Sequence, residues 1–125
     1  MRIFLLISAL AWAGYGLYCL IDPTMLAELA GVTSTTPTGT IELRAMYGGV
    51  QTALGLFAAA ALFRPAWQRS AVLALAFVTG GLFAARLIGA LLAGDFSSYT
   101  IGGLGFELVY TAIAIALLRK SAATA

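Results

Sequence analysis

The sequence predicts an all-α integral membrane protein, an up-and-down bundle of four transmembrane helices. Of the 125 residues, 62% are hydrophobic and 10% are charged, whereas a soluble domain is about half apolar and about a quarter charged. A helix needs about 20 apolar residues to cross roughly 30 Å of hydrocarbon. Four such helices with short connections account for the chain, so we expect a single transmembrane domain over residues 1–125 without a separate soluble catalytic domain.

Four long apolar segments carry this prediction. The expected helices lie at about residues 3–21, 41–63, 71–93 and 101–118. The first two contain long uncharged runs, whereas Arg86 interrupts the third and Glu107 the fourth. Arg2 and a small-residue site are typical of a signal peptide, but the apolar run continues well past that site. We therefore interpret this segment as an uncleaved first helix.

Polar and helix-breaking residues define the connections. Asp22 and Pro23 end the first helix and predict a short second one, with Asp22 as its cap and Pro23 at its first position. Gly31 would end this helix, and its apolar face would carry Met25, Leu26 and Leu29. Such a short amphipathic helix cannot span a bilayer and is expected to lie on its surface. The remaining connections are a loop over 33–40 and turns over 64–70 and 94–100.

The distribution of basic residues predicts the topology. One side of the four-helix arrangement carries Arg2, Arg64, Arg69, Arg119 and Lys120. The loops on the other side carry Asp22, Glu28 and Asp95 and no lysine or arginine. Basic residues accumulate on the cytoplasmic side of membrane proteins. We expect a multi-pass protein of the cell inner membrane with both termini in the cytoplasm.

Four further charges lie within or beside the apolar segments: Glu42, Arg44, Arg86 and Glu107. A charge at the centre of a membrane helix costs about 2.5–3.5 kcal/mol, so such residues are usually paired or functional. With a rise of 1.5 Å per residue, Arg86 and Glu107 each lie roughly 10 Å from the outer ends of their helices. Their shared depth predicts an ion pair.

Each spanning helix adds polar groups at a similar depth, which predicts one polar pocket open to the outer (periplasmic) face. Its expected members are Glu42, Arg44, Tyr47, Gln51, Arg86, Glu107, Tyr15 and Tyr110. On the second helix, Arg44, Gly48 and Gln51 follow a spacing of three and four residues, and Gly55 continues it. This spacing places polar groups on the same face as the glycines that permit close helix approach.

Three interpretations of the polar cluster remain open. It could be a structural ion-pair network, a pocket for a lipid headgroup, quinone or small amphiphile, or a proton-coupled transport path through Glu107 in a dimer. The chain has a single cysteine, Cys19, and no histidine. The absence of histidine removes the commonest general base and metal ligand. We predict no catalytic residues, no metal site and no cofactor other than a bound lipid or quinone. The composition therefore favours a protein that is not an enzyme.

The expected partners follow from this composition. They are the lipid bilayer, a small amphiphilic ligand, and a second copy of the chain or a larger membrane complex. The seven basic residues are scattered and form no run, so nucleic acid is not expected as a partner.

The start of the second spanning helix resembles the signature of a family of small four-helix bacterial inner-membrane proteins, grouped as a domain of unknown function. Its pattern is Glu-x-Arg-Ala-x-Tyr-Gly-Gly, matched here by Glu42, Arg44, Ala45, Tyr47, Gly48 and Gly49. Arg86, flanked by Gly81 and Gly89, and Glu107 match further elements of the pattern. The resemblance covers essentially the whole chain and implies the fold and the site but no chemistry.

A looser likeness extends to DoxX-like four-helix membrane proteins, some of which are linked to quinone-associated redox systems. It implies the alternative function of a quinone- or lipid-linked redox component. In that role Glu107 and a tyrosine would transfer protons and Arg86 would hold an anion. Because a fold does not determine a function, this likeness is an analogy.

Overall fold

The computed structural model describes residues 1–122, which form helices and no strand. Four of the helices in this part of the chain are long and apolar enough to cross a membrane. The chain divides into two compact units, one over Arg2–Gln68 and one from Arg69 onward. They are called the N-terminal unit and the C-terminal unit below.

The N-terminal unit begins with α1 (Arg2–Ile21), close to the bounds that the sequence predicts. The short helix α2 (Met25–Ala30) follows, and Gly31 ends it with a positive φ of 67°, a conformation that glycine adopts without strain. The prediction of its start was wrong. The Asp22 carboxylate accepts the Thr24 backbone N–H at 3.0 Å in a local turn, so Pro23 lies in that turn and the helix begins at Met25.

The apolar face predicted for α2 is only partly correct. Leu26 is fully buried and Met25 is nearly so, and both pack with Cys19 of α1. Leu29 is 52% exposed. A helix of six residues makes fewer than two turns, so its two N-terminal apolar side chains reach α1 while Leu29 does not.

The second spanning segment runs over Pro37–Phe63 and contains three helical elements. These are α3 (Pro37–Leu43), a π-helix (Arg44–Gly49) and α4 (Val50–Phe63). The segment begins at Pro37 rather than at the predicted Ile41, because the Thr36 hydroxyl caps the Gly39 N–H at 3.1 Å and Pro37 suits the first helical turn. The residues predicted as loop over 37–40 are therefore helical.

Glycine contacts pack α1 against the second spanning segment. A Cβ atom added to Gly48 would lie 2.6 Å from Leu20 Cγ, and one added to Gly55 would lie 2.7 Å from the Ala13 Cα. From the α1 side, a Cβ added to Gly16 would lie 2.5 Å from Thr52 Oγ1. The two backbones approach so closely that only glycine fits at these positions, which is how small residues bring membrane helices together.

The C-terminal unit is a helical hairpin. Its helices are α5 (Pro65–Ala93), whose first residues belong to the N-terminal unit, and α6 (Ser98–Ala122). The turn predicted over 64–70 was wrong, because only Arg64 interrupts the helices and Pro65 occupies a first helical position, where proline is tolerated. At the other end, Gly94 ends α5 with a φ of 64°, and the turn is shorter than predicted because α6 begins at Ser98.

Candidate functional site

The predicted ion pair joins the two helices of the C-terminal unit. Arg86 Nε lies 3.0 Å from Oε1 and 3.1 Å from Oε2 of Glu107, and Arg86 Nη2 lies 2.8 Å from Oε1. This confirms the pairing that the shared depth predicts. A guanidinium that binds a carboxylate through two of its nitrogens fixes orientation as well as neutralising charge.

The two members of the pair differ in accessibility. The Glu107 side chain is 5% exposed, whereas the Arg86 side chain is 30% exposed. The carboxylate therefore lies beneath the guanidinium. A buried carboxylate needs a charge partner and hydrogen-bond donors, and the arginine supplies both.

Two neighbours shape the arginine side of the pair. A Cβ added to Gly103 would lie 2.8 Å from Arg86 Nε, so the guanidinium rests against the backbone of α6 where no side chain is present. The Arg86 Cζ lies 5.9 Å from the centre of the Tyr99 ring, within the range of a cation–π interaction. Gly103 and Tyr99 were not among the predicted site residues, although the sequence contains the Gly103–Glu107 spacing of one helical turn.

A second polar contact between α5 and α6 lies one helical turn further along α6. The hydroxyl oxygens of Thr111 and Thr79 lie 2.8 Å apart, and Thr79 is fully buried. Tyr110, predicted as a site residue, is also buried, and its ring centre lies 5.6 Å from that of Phe106. Glu107 and Tyr110 are three residues apart and so share a face of α6.

Two other predicted site residues pack against the same buried cluster in the N-terminal unit. Tyr15 of α1 and Tyr47 of the π-helix are both half-buried, and both pack against the cluster of Cys19, Met25 and Leu26. The two phenol rings thus lie against apolar side chains beside the junction between α1 and α2.

The remaining predicted residues of this unit are more accessible. Glu42 and Arg44 are exposed, and Gln51 is half-buried. The pKa of the Asp22 carboxyl lies below its ordinary value, mainly because the Thr24 hydroxyl and backbone N–H donate to it, with a smaller contribution from the Arg44 guanidinium. Arg44 therefore acts electrostatically on the turn after α1.

The sequence did not predict the π-helix, which coincides with the motif residues Arg44–Gly49. The Val50 N–H bonds to the Ala45 carbonyl five residues back, so this turn is wider than an α-helical turn. The wider turn breaks the three- and four-residue spacing used to predict the face of this helix: Gly48 and Gly55 are buried, but Arg44 is exposed. Single π-helical turns occur frequently at functional sites.

The structure places the predicted site residues in two groups, each within one unit. The C-terminal unit contains Arg86, Glu107 and Tyr110, and the N-terminal unit contains Glu42, Arg44, Tyr47, Gln51 and Tyr15. That all eight line one cavity stays a prediction. Among residues 1–122, no group of three or more histidine, cysteine, aspartate or glutamate side chains could hold a metal ion.

Comparison with known proteins gives one family. The model of the family described as Domain of unknown function (DUF4345) matches residues 1–118, and the chain therefore belongs to that family. No curated protein and no solved structure matches the chain.

Proposed function

We propose that this member of the DUF4345 family is a small non-enzymatic membrane protein, an accessory or binding module that holds a lipid, a quinone or a small amphiphile at its Arg86–Glu107 pair. The observation that supports the proposal best is the unequal burial of the pair, with Glu107 5% exposed and Arg86 30% exposed. The accessible partner is the hydrogen-bond donor.

This asymmetry favours a ligand that accepts hydrogen bonds. Arginine has five N–H donors in a planar fork, and its charge is balanced by Glu107. A neutral or dipolar acceptor, such as a quinone carbonyl or the ester region of a lipid, can approach a balanced pair without leaving a net buried charge. The Tyr99 ring beside the guanidinium adds an aromatic surface for the apolar part of such a ligand.

The ligand is tested by mass spectrometry of lipids and small molecules retained by the protein after gentle purification from bacterial membranes. Arg86→Lys keeps the charge beside Glu107 but loses the planar fork, so we expect it to lower the retained amount of a specific lipid or quinone several-fold. The matched control is Thr79→Val, which alters the same hairpin without touching the pair. Equal retention by all three proteins would contradict the proposal and leave the structural interpretation.

The setting of this site is part of the proposal. The four long helices form an up-and-down bundle in the bacterial inner membrane, with both termini cytoplasmic and α2 lying on the outer surface. The support is the basic bias of one side of the predicted topology and the apolar length of the helices. Impermeant thiol reagents applied to intact cells should label Ser34→Cys and not Ser70→Cys, once Cys19 has been replaced. Labelling of Ser70→Cys from outside would contradict this topology.

A quinone-linked redox component, which the DoxX-like analogy implies, is the second candidate. It shares the bound quinone and differs in predicting a change of quinone redox state. If a quinone is retained, its reduction by a membrane electron donor should then depend on Glu107. A proton-coupled transporter acting as a dimer predicts instead uptake or efflux that follows the pH gradient.

A further inference from the structure

A cavity of about 210 Å³ lies in the N-terminal unit, between α2, the loop that follows it and α3. Its lining is divided equally between apolar and hydroxyl-bearing residues. The apolar residues are Pro23, Ala27, Val32 and Leu43, and the hydroxyl-bearing ones are Thr24, Thr33, Ser34 and Thr40. Drug-sized ligands occupy pockets of about 300–1,000 Å³, so this cavity suits a smaller molecule.

The apolar side of the cavity is anchored to the core of its unit. Val32 and Leu43 pack against the buried cluster of Cys19, Met25 and Leu26. The Val32 backbone N–H also donates to the Leu26 carbonyl oxygen at 3.2 Å. The fold therefore sets the shape of this side before a ligand arrives, which reduces the free energy that binding spends on ordering the protein.

The hydroxyl hydrogens on the polar side are used within the protein. Thr40 Oγ1 lies 3.3 Å from the Thr36 carbonyl oxygen, which can only accept, so Thr40 is the donor. The Ser34 hydroxyl oxygen lies 2.7 Å from Thr40 Oγ1 and must then donate to it. Thr24 donates its hydroxyl hydrogen to the Asp22 carboxylate. These three hydroxyl oxygens can offer a ligand their remaining lone pairs but no hydrogen.

Such a cavity favours a ligand that donates hydrogen bonds and carries no charge. Within residues 1–122, the side chains that line the cavity are all uncharged, and removing a charge from water without a partner is costly. A polyol meets both conditions, because each of its hydroxyl groups is a donor. A sugar ring also has an apolar C–H surface, which suits the apolar side of the cavity.

We propose that this cavity binds a neutral polyol of the size of one sugar ring, whose hydroxyls donate to Thr24, Ser34 and Thr40. The site is separate from the Arg86–Glu107 pair and does not depend on the function proposed for that pair. Thr24 is exposed, whereas Ser34 and Thr40 are half-buried, so the cavity is open to the surface. A free sugar and the headgroup of a glycolipid present the same hydroxyls, and the test separates these two sources.

The test is NMR of the threonine methyl groups of the full chain in micelles of an amine oxide detergent, which has no hydroxyl group. Added glucose represents the free sugar, and octyl glucoside mixed into the micelle represents the glycolipid headgroup. We expect at least one of them to shift the Thr24 and Thr40 methyl signals saturably. Saturation by glucose identifies a site for a free sugar, and saturation by octyl glucoside alone identifies a site for a lipid-borne one.

Two further probes test the chemistry of the ligand. Tetrahydropyran has the ring of glucose without its hydroxyls, so it should bind about ten-fold more weakly or worse, the effect of losing more than one hydrogen bond. Glucosamine replaces one hydroxyl of glucose with an ammonium group and should also bind more weakly, because no charged side chain lines the cavity. Tighter binding of either probe than of glucose would overturn the assignment to a neutral polyol.

Variants test the residues that accept the hydrogen bonds. Ser34→Ala removes one acceptor and should weaken the binding of the saturating probe about five-fold, the effect of one hydrogen bond. Thr40→Val keeps the side-chain shape and should weaken binding at least as much, as read from the Thr24 signal. If Thr40→Val does not fold, Ser34→Ala decides the test.

The matched control is Thr38→Val, the same substitution on α3 at an exposed residue outside the cavity lining. We expect this variant to bind the probe as the wild type does. Equal weakening by Thr38→Val, or unchanged binding by Ser34→Ala, would overturn the proposal. So would the absence of a saturable shift with both glucose and octyl glucoside.

Discussion

The two units of the molecule hold their helices together by different means. In the N-terminal unit, α1 and the second spanning segment approach so closely that a Cβ added at Gly16, Gly48 or Gly55 would clash with the neighbouring helix. In the C-terminal unit, polar contacts join α5 to α6 at three levels: Arg69 to the Leu118 carbonyl, Thr79 to Thr111, and Arg86 to Glu107. The first interface relies on shape and the second on polar pairing.

This difference follows from the bilayer as a solvent. Lipid chains are as apolar as leucine, so burying apolar surface gives little drive for two membrane helices to associate. Close van der Waals packing and interhelical hydrogen bonds remain, and each unit emphasises one of them. The N-terminal unit should therefore be sensitive to added volume, and the C-terminal unit to the loss of one polar partner.

The largest effect is expected from breaking the ion pair. Arg86→Leu leaves Glu107 buried without its charge partner, a change that costs about 3–5 kcal/mol in soluble proteins. The double variant Arg86→Leu with Glu107→Leu removes both charges and should be more stable than Arg86→Leu alone. Unfolding in mixed micelles with a denaturing detergent measures the difference in free energy.

Glu107→Leu completes this thermodynamic cycle. It leaves an arginine that is 30% exposed and can reach toward water, so we expect a smaller loss than for Arg86→Leu. Strictly additive losses in the double variant would mean that the two side chains contribute independently, contrary to their contact.

The second largest effect is expected from adding one methyl group to the glycine interface. Gly55→Ala places a Cβ 2.7 Å from the Ala13 Cα, which is backbone and cannot swing aside. Overpacking of this kind costs about 1–3 kcal/mol. Gly14→Ala on α1 is the matched control, because a Cβ there meets nothing within 4 Å. Equal stability of the two variants in the same detergent assay would show that the close approach does not stabilise this unit.

The spans and the ion pair could be predicted from the sequence because they depend on simple quantities. Apolar length determines where a helix can cross a bilayer, and the rise per residue predicts similar depths for Arg86 and Glu107. The bounds were less accurate at Pro37 and Pro65, where proline begins a helix instead of prolonging a loop. Composition marks each proline as a boundary between elements, but it does not say whether the proline belongs to the loop or to the first turn of the helix.

The orientation of the second spanning segment could not be predicted, because helical spacing assumes a constant turn. The π-helix at Arg44–Gly49 changes that turn within the motif, so the faces before and after it are no longer in register. As a result Gly48 lies against Leu20 while Arg44 is exposed. π-helical turns are rare, and their hydrogen bonds run to the fifth preceding residue. A prediction that assumes α-helical spacing is therefore wrong where such a turn occurs.

A smaller effect is expected at the middle level of the C-terminal hairpin. The hydroxyls of Thr79 and Thr111 lie 2.8 Å apart, and interhelical hydrogen bonds in membrane proteins are worth about 0.6 kcal/mol on average. Thr79→Val keeps the shape and removes the hydroxyl, so its cost should be near that value. A double-mutant cycle with Thr111→Val measures the coupling free energy between the two hydroxyls. A coupling as large as that between Arg86 and Glu107 would contradict the expected ranking of the polar contacts.

The smallest effect is expected on the pKa of two carboxyls that lie in turns, Asp22 in the N-terminal unit and Asp95 in the C-terminal unit. The pKa of each carboxyl is below its ordinary value, first because of the Thr24 hydroxyl for Asp22 and the Thr100 hydroxyl for Asp95. A lowered pKa in the folded state contributes stability above the unfolded pKa, near 3.9, and this contribution is lost as the pH falls through the folded value.

Added salt should change the pKa of these two carboxyls by different amounts. Arg44 contributes to the lowered pKa of Asp22, whereas the causes at Asp95 are local hydrogen bonds from Thr100 and Ser97. Dissolved ions screen the attraction between exposed charges, but they act weakly on direct hydrogen bonds. The pKa of Asp22, followed by NMR of the carboxyl carbon in detergent, should therefore rise more than that of Asp95 when salt is added. In Arg44→Gln the two carboxyls should respond alike. If Asp22 kept its larger salt response in that variant, the charge acting on it would not be that of Arg44, and the motif arginine would have no electrostatic link to the turn after α1.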